Sequence, residues 1–227
     1  QPCSSAASDV YKRQVVGLMG PNGAGKTTTF NLAVGIIKPD KGKVLMNGKN
    51  ITYLPLPIRS RLGLGYLTQE ASIFRDLTVK ENIDLALHNS FYSPAAIRNR
   101  REKLINEFNL NKFVDNYGYQ LSGGERRRCE IARALSVGRK GPKYLLLDEP
   151  FAGIDPIAVN YLKKLILKLS SEGVGILITD HNVRETLLIT NKSYVLSEGK
   201  ILAYGSSSEL ADNPIVKKYY LGENFKL

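Results

Sequence analysis

Residues 20–27 read Gly-Pro-Asn-Gly-Ala-Gly-Lys-Thr, and the apolar run Val15–Met19 leads straight into them. No other segment restricts the fold as tightly. The spacing G-x-x-x-x-G-K-[ST] lets the backbone curl until successive N–H groups converge on one point. A helix beginning at Lys26 would aim the positive end of its dipole at the same place. Residues Gly20, Pro21, Asn22, Gly23, Ala24, Gly25, Lys26, Thr27 and Thr28 are therefore expected to cradle the phosphates of a nucleoside triphosphate. Lys26 supplies a point charge to the β- and γ-phosphates, and the Thr27 hydroxyl is a candidate Mg²⁺ ligand. A buried strand, a phosphate loop and a helix in that order demand an α/β core.

The rest of the chain extends this unit. Residues 26–37 read as the helix after the loop, stopped by Lys38-Pro39-Asp40. Residues 43–46 are a strand candidate, Asn47-Gly48 is a hairpin signal, and residues 64–67 form a strand arriving at Thr68-Gln69-Glu70. From Thr78 to about Val137 the pattern turns polar and helical: Thr78 can cap one helix, and Ser93-Pro94 opens another. Residues 144–147 resume the core as a strand. Asp155-Pro156 then starts a helix with Leu162, Leu165, Ile166 and Leu169 on its apolar face. Residues 174–179 are the next strand, and a final strand follows Glu198-Gly199. Strand alternating with helix predicts a mostly parallel sheet. The expected organisation is a core of residues 15–77 and 138–205, a helical lobe at 78–137 inserted into it, and a C-terminal segment at 206–227.

Hydrophobic residues make up 43% of the 227 and charged residues 23%, a balance that excludes a disordered chain. The longest apolar runs are strand-sized, far short of the roughly 20 residues that cross a bilayer. The formal charge of +11 admits nucleotide, nucleic acid or an acidic membrane surface as partner. Against nucleic acid, the basic stretch Arg98, Arg100, Arg101 and Lys103 is interleaved with Glu102 and Glu107, not with aromatic residues. It reads as a solvated face. Cys3 and Cys129 have no paired spacing, which excludes a zinc knuckle or disulfide framework and fits a reducing compartment. Cys129 reads as a small buried residue.

Two further segments carry chemistry. Leu145-Leu146-Leu147-Asp148-Glu149 ends a buried strand in adjacent carboxylates. Asp148 is placed to hold Mg²⁺, and Glu149, pointed differently, can orient or deprotonate an attacking water. Leu121-Ser122-Gly123-Gly124-Glu125 opens a helix with Arg126-Arg127-Arg128. Ser122 and Glu125 have the spacing of a capping box. Paired glycines there are costly unless backbone must approach something closely, and an anion is the natural candidate.

Taken together the motifs resemble the ATP-binding cassette family over residues 15–227. The phosphate loop, Gln69, the segment from Leu121 to Glu125, Asp148-Glu149, Gly153-Ile154-Asp155 and Asp180-His181 stand in that family's order. The resemblance implies an ATPase with a P-loop NTPase core, using ATP and Mg²⁺ and working as a head-to-tail homodimer. Ser122, Gly123, Gly124 and Glu125 of one copy would close on the ATP held by the other. Glu149 would activate water, Gln69 would contact Mg²⁺ and sense the transport partner, and His181 would contact the γ-phosphate. On its own, a histidine such as His181 is more commonly a satisfied core residue.

A narrower resemblance, to the ATPase subunits of lipopolysaccharide export systems, rests on residues 67–75, 122–133, 179–186 and 220–227. It implies transmembrane permease partners, a place on the cytoplasmic face of the inner membrane, and a partner-docking role for Phe74 and Arg75. Phe74 could instead anchor its own loop to the helical lobe. The other functions left open are a cassette ATPase acting on nucleic acid, a transporter of another substrate, and a non-catalytic binding module. The family normally sets two strands and an adenine-stacking aromatic before the phosphate-loop strand. Residues 1–14, rich in serine and alanine, carry no such pattern, and Tyr11 is only nine positions before Gly20. The expectation is a tail or sequence junction in which unrelated residues replace the native start.

Overall fold

The computed structural model describes residues 13–90, 93–225 and 227, so the expectation for residues 1–14 falls almost wholly outside the described residues. The strands of the main sheet are β1 (Val15–Met19), β4 (Leu64–Leu67), β5 (Tyr144–Asp148), β6 (Gly175–Thr179), β7 (Lys192–Ser197) and β8 (Lys200–Gly205). Among the described residues they form a six-stranded sheet in the order β4-β5-β6-β1-β7-β8. Strands β4, β5, β6, β1 and β7 run parallel, and β8 returns antiparallel to β7. A separate hairpin joins β2 (Leu45–Met46) to β3 (Lys49–Asn50), turned by Asn47 and Gly48 at positive φ. The hairpin signal is realised, over a strand shorter than the sequence suggests.

Side chains of the central strands alternate between two apolar layers. Val15, Leu145, Leu147, Ile176 and Ile178 join one core, while Val16, Leu18, Leu146 and Leu177 join the other. The second layer is covered by α1 (Lys26–Val34), through Phe30 and Val34. Helix α1 stops earlier than Lys38-Pro39 would impose. Gly35 adopts φ 85° and caps it, and the Gly35, Ile36 and Ile37 N–H groups all converge on the Asn31 carbonyl.

The first layer is covered by α6 (Pro156–Ser171), which buries Leu162, Leu165, Ile166 and Leu169 as expected. It is also covered by α3 (Val79–His88), α4 (Pro94–Glu107) and α5 (Gly123–Ala134). Ile83, Leu87, Leu104 and Ile131 of these helices belong to the same apolar cluster as the strand residues, so the helical segment shares one continuous core with the sheet. Thr78 and Ser122 each make a full capping box, and Ser93 and Asp155 cap helices that begin with proline. Cys129 is buried in this core.

The basic stretch on α4 is less uniformly solvated than its composition implies. Arg101 Nη1 donates to both carboxylate oxygens of Asp84, at 2.7 and 2.9 Å, and Arg100 donates to the Leu135 carbonyl. Among the elements that answer to no signal in the sequence pattern above are α2 (Leu56–Arg61) and β7. A short helix, α7 (Val183–Leu187), lies between β6 and β7. After β8 come α8 (Ser207–Asp212) and α9 (Pro214–Val216), then a π-helical turn. Met19, Val195, Leu210 and Val216 bind this C-terminal segment to the sheet. Among the described residues, no helix is long and apolar enough to cross a membrane.

Candidate nucleotide site

Four adjacent parallel strands deliver the candidate residues at their carboxyl ends. β1 runs into Gly20, β4 into Thr68 and Gln69, β5 ends on Asp148 before Glu149, and β6 precedes Asp180 and His181. Ligands of open α/β sheets bind at this edge.

The phosphate loop has Gly20, Gly23 and Gly25 at positive φ, and Gly25 occupies the N-cap of α1. A Cβ on Gly20 would lie 2.3 Å from the Leu196 carbonyl oxygen, so the loop's first residue must be glycine. The Lys26 ammonium is buried and donates to the carbonyls of Gly20 at 2.8 Å and Pro21 at 3.0 Å. Burial lowers its pKa, opposed by the nearby charges of Glu149 and Asp148. Thr27 and Thr28 are exposed on the first turn of α1.

The two adjacent carboxylates have opposite environments. Asp148 is 1% exposed, and its Oδ2 has no hydrogen-bond partner. Burial, and then the Glu149 charge, raise its pKa from 3.8 to about 6, although Lys26 and Arg127 pull it down. An orphaned carboxylate oxygen beside a phosphate loop suits a hard cation. Among the described residues no group of three or more His, Cys, Asp and Glu side chains is gathered to hold a metal ion. One carboxylate and the Thr27 hydroxyl make a sparse donor set, of the kind Mg²⁺ completes with water and phosphate oxygens.

Glu149 is held from both sides. Its Oε2 accepts from Gln69 Nε2 at 3.1 Å, and its Oε1 lies 2.8 Å from His181 Nε2. The backbone of Glu149 sits at φ 51°, a conformation costing about 1 kcal/mol or more for a non-glycine residue. It is retained because the Glu149 N–H donates to the Thr179 carbonyl while the Glu149 carbonyl accepts from Ala152 and Arg127. The left-handed turn aims the side chain away from that of Asp148 and toward Gln69 and His181. Asp180 takes a supporting part: its two oxygens accept from the N–H groups of Phe151 and Asn182, each at 2.8 Å.

Thus Lys26, Gln69, Asp148, Glu149 and His181 come together. The segment from Ser122 to Glu125 makes its contacts elsewhere. A Cβ on Gly123 would meet the Gly153 carbonyl at 3.2 Å, and one on Gly124 the Ala158 Cβ at 3.3 Å. Close packing within the chain therefore accounts for part of the glycine requirement that the sequence suggests an anion imposes. Ser122 and Gly123 remain exposed.

Phe74 is 46% exposed, with the Arg133 guanidinium 4.6 Å from its ring centroid. Its backbone is pinned by buried Asn82, which accepts from the Phe74 N–H and donates to the Phe74 carbonyl, both at 3.0 Å. Loop anchoring and an available ring are thus both present. Beside them, Tyr119 donates its N–H to the Arg75 carbonyl and stacks on Tyr117 with centroids 5.5 Å apart. Sequence reasoning misses this exposed tyrosine pair, although two tyrosines flanking a glycine are visible in the chain. It also misses Arg127 and Glu130 as site residues. Arg127 donates to the carbonyls of Thr68, Asp148, Glu149 and Pro150 and pairs with Glu130 at 3.0 Å.

The sequence profile describing ABC transporters matches residues 4–152. The chain belongs to the ABC transporter family. Its fold is that of an ATP-hydrolysing cassette, as the motifs implied. It is 50% identical over 225 residues to the lipopolysaccharide export system ATP-binding protein LptB of Haemophilus influenzae, a match covering 99% of this chain and 92% of that protein. The protein of the same name from Escherichia coli K12 is 49% identical, across 96% of this chain and 90% of its own. The spans matched by the family profile and by the Haemophilus protein both reach into residues 1–14. Among solved structures, the ADP conformation of an ATP-binding cassette of an ABC transporter superposes with a TM-score of 0.81 at 28% identity, covering 94% of this chain and 90% of that one. A dimeric cassette in a post-hydrolysis state, bound to ADP and phosphate, gives 0.76 at 25% identity over 88% of each.

Proposed function

We propose that two copies of this chain bind two ATP molecules head to tail and hydrolyse them to drive membrane partners, and that the cargo is lipopolysaccharide leaving the inner membrane. The reading rests chiefly on the placement of Glu149, gripped by Gln69 and His181 beside the free oxygen of Asp148. That carboxylate is poised to orient water and accept its proton, while the loop amides and Lys26 hold the phosphates. Thr27 and Asp148 would hold Mg²⁺, which when bound offsets charge on the β- and γ-phosphate oxygens. The exposed Ser122–Gly123 backbone at the start of α5 would supply the second copy's donors, completing a centre that one chain holds only in half.

Gln69 lies between the reaction centre and the surface formed by Phe74, Arg75, Tyr117 and Tyr119, where a permease helix would dock. The cytoplasmic face of the inner membrane follows from such partners. Names and identity of the LptB relatives support the cargo assignment.

Glu149→Gln tests the core of this reading. Hydrolysis should fall about a hundredfold or more, while ATP and Mg²⁺ convert the variant to a dimer on size-exclusion chromatography with light scattering. Hydrolysis at the wild-type rate would remove Glu149 from its role.

A further inference from the structure

A buried polar cluster on α5 backs the nucleotide edge. Arg127, Glu130 and Arg133 recur every three residues, so they share one face of the helix. That face grips the Gln69 loop at several points. Arg127 Nη1 donates to the Thr68 carbonyl at 3.1 Å, just before Gln69. Glu130 Oε1 accepts from the N–H groups of Ser72 at 2.7 Å and Ile73 at 3.1 Å, just after it. Arg133 donates to the Ser72 carbonyl. The same Arg127 guanidinium reaches the other way, to the carbonyls of Asp148 at 2.9 Å and Glu149 at 2.7 Å. Arg127 and Glu130 are joined by a buried ion pair with side-chain exposures of 7% and 2%.

We propose that Arg127 and Glu130 are positioning residues, which join both ends of the Gln69 loop to the backbone of Glu149 so that the Gln69 amide meets the Glu149 carboxylate in register. The pair stands on the helix whose first residues form the Ser122–Glu125 segment. Displacement of α5, or of the Phe74 surface beyond Ile73, is therefore passed to the Gln69–Glu149 contact through side chains that cannot move separately. A planar fork with several donors suits this task, because one group can hold carbonyls from two loops at once. The inference rests on the cassette reading above and adds to it the device that links docking surface to reaction centre.

A double-mutant cycle tests it, with kcat counted per titrated nucleotide site and KM for ATP measured alongside. Glu130→Gln keeps the shape and an acceptor oxygen but removes the charge that holds Arg127. In the otherwise native chain it should lower kcat about tenfold with KM within about twofold. In a Gln69→Ala background the same change should lower kcat less than about twofold, because the contact it positions is already gone. Equal losses in both backgrounds, or full kcat in Glu130→Gln, would overturn the proposal and leave the pair a purely structural one. Should Glu130→Gln fail to fold, Arg127→Lys keeps the charge, loses the fork and takes its place in the cycle, where the same losses support or overturn the proposal. A native chain that binds no ATP would overturn the cassette reading itself, a result distinct from either.

Discussion

Among the described residues two arginines are buried, and they do different things with the same fork of donors. Arg59 of α2 is fully buried and donates to the carbonyls of Leu32, Ala33, Thr52 and Leu54 at 2.6–2.7 Å. Two of those carbonyls lie in the last turn of α1, where they lack helical partners and the dipole is negative. Its contacts are thus internal to one block, and burial lowers its pKa without a carboxylate among these partners. Arg127 instead spans two loops that face the nucleotide edge and shares its charge with Glu130. The difference shows that burial of a cation says little about function; what matters is whether the groups it joins act together in the reaction.

Replacing each arginine should separate the two roles most strongly. Arg59→Leu leaves four carbonyls without their donor and should cost about 3–5 kcal/mol in urea unfolding, with turnover per folded molecule nearly unchanged. Arg127→Lys should reverse that pattern, with a smaller stability loss and a larger fall in turnover. Similar ratios of stability loss to turnover loss in the two variants would erase the distinction.

Asp148 sharpens the comparison from the other side, since Arg127 holds its carbonyl but leaves one carboxylate oxygen unpaired. Its folded pKa of about 6 lies above the ordinary 3.8, so the protonated carboxyl favours the fold. The stabilising proton is present below about pH 4, and the nucleotide-free chain loses that stability as pH rises through about 6. Asp148→Asn should accordingly be more stable than the native chain at pH 8, by up to about 3 kcal/mol. The gap should close as pH falls from 6 toward 4 in parallel thermal melts, while Mg²⁺-dependent ATP binding is weakened throughout. An Asn variant that is no more stable at pH 8 would show that the carboxylate is better solvated than its burial indicates.

The smallest stability effect is expected at the surface that Arg127 and Glu130 are proposed to serve. Phe74→Ala should change stability by under about 1 kcal/mol, the scale of its contact with Arg133. The variant should nevertheless recover less permease on affinity purification from membranes. Undiminished recovery would place partner docking elsewhere.

Much of the nucleotide edge is legible in the sequence because its signals are local. The glycine spacing of the phosphate loop, the capping residues Thr78, Ser122 and Asp155, and the apolar ends of β4, β5 and β6 each act over a few residues. Helix α1 is shorter than its pattern suggests because Gly35, which passes for an ordinary helical residue, supplies the left-handed cap. The Gln69–Glu149–His181 arrangement follows from family resemblance, since 80 residues separate the first two and no local pattern joins them. Arg59 and Arg127 are hidden for a further reason. In sequence, basic residues near other charges read as solvated, and only the fold reveals that carbonyls from distant turns meet around them.

Lys26 gives the phosphate loop a property of its own. Because the ammonium ties down the Gly20 and Pro21 carbonyls, residues 20–25 keep their winding through bonds inside the chain. An arriving triphosphate then exchanges neutral oxygen acceptors for anionic ones, the stronger kind. Little conformational entropy remains to be lost in that exchange, so capture is governed by diffusion and desolvation and not by slow coiling of the backbone around its guest.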